Sequence, residues 1–194
     1  MADTEIKKPD IPLPLAMEHL SLTPNGYRKP WFVKGSDLRI TNQKKYLKCM
    51  EGKKTCWICG NANRKEHVFI TDIRAAMSSR SLEPASHAEC TFYAIKVCPF
   101  LLLPQFKRRP NTLPTEYQEQ ATDAISGENP GYFAITSVKK FAYGAPVPGV
   151  ATRFAYWKKE HVLKQSVWSK GEMLVENESG QLEPSILAKY LTLS

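Results

Sequence analysis

Cys56-Trp57-Ile58-Cys59-Gly60, answered further along the chain by His87-Ala88-Glu89-Cys90, is the stretch that decides how this sequence folds. Two thiols separated by two residues on a tight turn can reach one metal ion, and Gly60 lets that turn close. His87 comes 28 residues after Cys59, and its spacing from Cys90 puts both side chains on one face of a helical turn. A knuckle, a hairpin and a helix whose first turn donates the second ligand pair make a treble-clef-like arrangement. Cys56, Cys59, His87 and Cys90 are therefore the expected ligands of one structural Zn²⁺, a closed tetrahedral Cys₃His set with no position left for water. Cys98 is the alternative fourth ligand if the helix is short, and otherwise a buried free thiol, as is expected of Cys49. Five cysteines, an odd number, argue against a disulfide framework.

Outward from this centre the pattern is α+β, with short strands and several helices around the zinc module. Residues 1–35 form an irregular arm, since prolines at 9, 12, 14, 24 and 30 forbid long helices and Asn25-Gly26 marks a turn. Pro30-Trp31-Phe32-Val33 is an apolar knot that packs the arm onto the core. A helix capped by Thr41 or Asn42 runs to about Met50, with Tyr46, Leu47 and Met50 on one side and lysines on the other. Val68–Thr71 reads as a strand with Arg64-Lys65 at a hairpin tip before it. Ser86, with Glu89 three residues on, has the capping-box pattern for a helix that reaches Val97 and stops at Pro99. Further helices are expected over 115–127, 159–169 and 184–192, and strands over 131–138 and 153–157 around the turn-rich Gly144–Gly149. The organisation expected is one domain over 1–194: the arm, a zinc module over 50–110 and a C-terminal α+β part over 111–194.

No apolar run is long enough to span a bilayer, and Asp3, Glu5, Lys7 and Lys8 leave no room for a signal-peptide core. The expectation is a soluble, cytoplasmic protein. Its net charge of +8 is unevenly placed: residues 28–109 hold 17 Lys or Arg against 6 Asp or Glu. Clustered cations release phosphate counterions on binding, so this half is the candidate contact for nucleic acid or a nucleoprotein. Lys44, Lys45, Lys48, Lys53, Lys54, Arg64, Lys65, Lys107, Arg108 and Arg109 are the candidate contacts. Trp57, Phe92, Tyr93 and Trp157 could stack bases there, but aromatics beside a small metal site more often form its core.

Catalytic readings are weaker. His87-Ala88-Glu89 fits the H-x-E triplet of zinc deaminases, yet the Cys pair comes before it and lacks the preceding proline. An HNH-like metal-dependent nuclease would use His67 as base and Asp72 as a ligand, without the usual Asp-His pair.

The Cys56–Gly60 knuckle, Glu83-Pro84…His87-Ala-Glu-Cys90, Cys98-Pro-Phe-Leu101 and Asn129-Pro-Gly131 together resemble a family of short proteins encoded by bacteriophages and some bacteria. The resemblance covers roughly residues 50–160 and implies a phage context, with host cytoplasm as the location, but no activity. The leading expectation is a non-catalytic zinc protein whose basic half binds nucleic acid or a nucleoprotein. Behind it stand an interaction protein that inhibits a host or defence-system protein, and then the nuclease.

Overall fold

The structure, a computed structural model, describes residues 10–35, 41–52, 55–62, 66–103, 129–147 and 152–192. Its frame is a four-stranded antiparallel sheet ordered β1 (His67–Asp72), β3 (Phe133–Val138), β6 (Val162–Ser169) and β7 (Glu172–Asn177). A smaller antiparallel sheet is ordered β2 (Arg80–Ser81), β5 (Arg153–Tyr156) and β4 (Ala142–Pro146). The described helices are α1 (Gln43–Gly52), α2 (Ile73–Met77), α3 (Ala88–Val97), α4 (Pro99–Leu102) and α5 (Pro184–Leu191). This mixed architecture with antiparallel sheets is the α+β class expected, and no described helix is long and apolar enough to cross a membrane.

β3 is buried along its whole length because it has a strand on each side and a packed layer on each face. On one face Val68, Phe133, Ile135 and Trp168 meet Ile95 of α3 and Leu101 of α4. On the other, Ala134 and Val167 pack with Ile73, Ala76 and Leu187, while Phe69 and Val138 pack with Ala155 and Trp157. Each fully buried large apolar side chain contributes about 1.5–3 kcal/mol, so this two-sided burial is what holds the frame. Gln165 is buried on the second face, where it donates to Thr136 Oγ1 at 2.8 Å and accepts from the Leu182 backbone at 3.0 Å.

Several expectations hold in detail. Asn42 caps α1, its Oδ1 accepting from Lys45 N at 3.2 Å, and Tyr46, Cys49 and Met50 form the buried side. Pro184 stands in the first turn of α5, with Leu187 buried and Ile186, Tyr190 and Leu191 packed around it.

Others are corrected. Residues 162–169 are β6 rather than helix: Leu163, Lys164 and Gln165 favour helices, but pairing with β3 and β7 outweighs that preference. β6 turns into β7 through Lys170 (φ 50°) and Gly171 (φ 81°), the two left-handed residues of a type I′ hairpin. Part of the Gly144–Gly149 stretch, expected as turn, is β4. Ser86 does not cap α3, because its backbone is committed to a two-bond bridge with Val68; His87 takes the cap position. β1 takes its ladder from β3, and the segment between knuckle and ligand helix runs strand–helix–strand. The helix expected over 115–127 and the hairpin tip at Arg64-Lys65 lie outside the described residues.

Candidate metal centre

The first half of the centre is a one-turn loop. Thr55 bridges Ala62, Cys56 N donates to Asn61 O at 2.8 Å, and Gly60 N donates to Cys56 O at 2.9 Å. Gly60 has φ +81°, and a Cβ there would stand 2.5 Å from Trp31 Cγ, so both conformation and space require glycine. The second half is the start of α3. His87 is the extended cap residue and Cys90 the third residue of the helix, where the positive end of the helix dipole favours a thiolate.

The ligand atoms of Cys56, Cys59, His87 and Cys90 all lie within 4.8 Å of one another. His87 Nδ1 is 3.3 Å from Cys59 Sγ and 3.7 Å from Cys90 Sγ. A tetrahedral Zn²⁺ with Zn–S of about 2.3 Å and Zn–N of about 2.0–2.1 Å needs N···S separations of about 3.6 Å, so the spacing fits. The three cysteines are each 0% exposed and His87 closes the half-exposed side. On the far side of its ring, His87 Nε2 is 2.8 Å from Ala62 O. A carbonyl can only accept, so Nε2 carries the hydrogen and Nδ1 is the atom left to bind a metal.

Burial pushes the Cys56 thiol up, but hydrogen bonds from Cys59, Cys90 and His87 outweigh it and hold Cys56 well below the ordinary thiol range. Hydrogen bonds to Cys56 and Cys59 raise His87 to about 11. The same two neighbours, followed by burial, push Cys90 strongly up. The groups share protons among converging sulfurs, and a divalent ion takes the place of those protons when it binds. Cys98 stands apart, packed beside the Val68–Ile95–Trp168 cluster, and is not among the grouped ligands.

The irregular arm forms the centre's outer wall, which the sequence did not reveal beyond the Trp31 knot. Met17 and Leu20 are buried in one cluster with Cys56, Ile58, Cys59 and Cys90. Trp31 N donates to Ile58 O at 2.7 Å, His19 Nε2 lies 3.0 Å from Cys59 O, and Asn61 Nδ2 donates to Ala16 O at 3.2 Å. Most of these contacts use backbone carbonyls, which leave no mark in a residue pattern.

Of the other candidate residues, three of the basic ones are described, all on α1. Lys45 Nζ donates to Trp31 O at 2.6 Å and lies 4.9 Å from the Trp31 ring centroid, with Lys48 Nζ at 5.7 Å. Lys44 is exposed on the same helix. Lys53, Lys54, Arg64, Lys65, Lys107, Arg108 and Arg109 lie outside the described residues. Trp57 is buried between Phe32 and Tyr46, and Trp157 is buried on Phe69, so both are core. Phe92 is half-buried near Trp168 beneath Lys164, and Tyr93 packs on the metal cluster. His67 and Asp72 stand at opposite ends of β1: His67 packs edge-on against Phe141, and Asp72 caps α2 by accepting from Ala75 N at 2.7 Å. Glu89 is exposed in the first turn of α3. No family model, no curated protein and no solved structure matches this chain.

Proposed function

We propose that this chain is a non-catalytic Zn²⁺ protein whose metal is structural and whose basic half, residues 28–109, binds nucleic acid or a nucleoprotein. The observation that carries the metal reading is the buried convergence of Cys56, Cys59, His87 and Cys90. Soft thiolates with one imidazole suit Zn²⁺, and four protein ligands leave no open position for a substrate or activated water. In this treble-clef-like reading the ion joins the knuckle to the helix that follows.

The polyanion reading is supported by charge: residues 28–109 carry an excess of 11 basic over acidic residues in the half that holds the metal ligands. The test is a gel shift of DNA and RNA across a salt series. Binding should weaken steeply as salt rises. Absent or salt-insensitive binding would move the assignment to a protein partner, such as a host or defence-system protein that the chain occupies and inhibits. A stoichiometric complex that survives nuclease treatment is the signature of that second reading.

A further inference from the structure

We propose that residues 13–20 form a strap whose docking is controlled by metal occupancy, while residues 32–33 stay anchored whether or not metal is bound. The inference rests on the metal reading above and concerns what the metal controls beyond its own ligands.

The two parts of the arm are held differently. Leu13, Ala16, Met17 and Leu20 pack on Cys56, Ile58, Cys59 and Cys90, with Tyr93 and Ala94 beside them. The described order of the strap itself is one 3-10 turn, Leu15–Met17, closed by Met17 N donating to Pro14 O. A single turn does not persist alone in water, so the strap takes its order from the surface beneath it. Three of the residues in that surface are metal ligands. His19 and Ala16 add hydrogen bonds to Cys59 O and from Asn61, both on the knuckle.

Trp31 packs on the ligand cluster and donates to Ile58 O of the knuckle, whereas residues 32–33 have support at the entry to α1. Phe32 stacks on Trp57 at 4.2 Å, Phe32 O accepts from Asn42 N, Val33 bridges Thr41, and Lys45 Nζ donates to Trp31 O. These contacts are made chiefly with α1 and its entry, which pack through Tyr46, Cys49 and Met50. Between the two parts lies the Thr23–Tyr27 turn, with Gly26 at φ 72°. Arg28 spans it by donating to Leu20 O at 2.7 Å.

Without metal, no ion ties Cys56 and Cys59 of the knuckle to His87 and Cys90 at the start of α3, and the knuckle opens. The strap then loses its floor. The β1–β3–β6–β7 sheet does not, because its two packed faces contain none of the ligands.

Amide hydrogen exchange by mass spectrometry on the full chain tests this, comparing zinc-loaded protein with chelator-treated protein and with protein reloaded with Zn²⁺ alone. Exchange over 13–22 should rise about tenfold or more on metal removal and return on reloading, while 32–33 and 133–138 keep their protection. A strap that stays protected in chelated protein overturns the proposal. So does simultaneous loss over 133–138, which would make the metal a determinant of the whole fold. A second variant keeps the test independent of ligand loss: Met17→Ala with Leu20→Ala should free residues 13–22 at full zinc content, and loss of zinc there would contradict a strap that follows the metal. A protein that carries no zinc at all defeats the metal reading itself, and metal content measured on the same samples separates that failure from the others.

Discussion

The metal module and the four-stranded sheet are held by different physics. In the sheet, β3 is paired on both sides and buried on both faces, so ladder hydrogen bonds and apolar burial reinforce each other. In the module, the knuckle makes three backbone hydrogen bonds or bridges of its own kind, through Thr55–Ala62, Cys56–Asn61 and Gly60–Cys56. Its buried centre is three sulfurs and an imidazole rather than hydrocarbon. The sheet can be weakened by degrees, one side chain at a time. The parts of the module meet at four side chains that could hold one ion.

The largest effect should follow from the module. Cys90→Ser removes one ligand, and structural zinc contributes on the order of 10 kcal/mol of folding free energy, so this variant should lose zinc and the order of the knuckle together. Metal content and hydrogen exchange over 55–62 measure both, and a variant with unaltered protection would break the contrast. The sheet answers with a smaller, graded loss. Phe69, 0% exposed and stacked on Trp157, should cost about 3–5 kcal/mol when cut to alanine, with zinc content unchanged, as urea unfolding and metal analysis would report. Smaller again is Gln165→Leu, which leaves the buried Leu182 N–H without its acceptor, at about 1–3 kcal/mol in the same unfolding assay.

The smallest effect lies at alkaline pH, in the α1 cluster between the two regions. Burial raises the Tyr46 phenol from its ordinary 10.0, and its hydroxyl donates to Leu82 O at 3.1 Å. The folded state favours the neutral phenol. Its stabilisation is therefore complete below pH 10 and declines as pH rises beyond it toward the folded value. Stability in urea should fall as pH rises beyond 10, and Tyr46→Phe should remove the part of that fall that belongs to the phenol.

What the sequence disclosed follows the same division. The grouping of Cys56, Cys59, His87 and Cys90 was legible because zinc chemistry demands fixed residue types at fixed spacings, and these four have both. Helices with strong local signals were legible too: Asn42 before α1 and Pro184 opening α5. β6 was not, because Leu163, Lys164 and Gln165 prefer helix and its strand state comes from β3 and β7, distant in sequence. Lys170-Gly171 was the one local trace of that hairpin. Ser86 misled for a related reason: a good cap residue was taken by the longer-range bridge to Val68. The strap was hidden because carbonyls of Cys59 and Ala16, not a residue pattern, receive its hydrogen bonds.

Elemental analysis of the purified chain, with Cys90→Ser beside it, tests the central claim most directly. The account requires one zinc per wild-type chain and its loss in the variant. A folded wild-type protein without metal, or a Cys90→Ser variant that retains full zinc, would contradict it.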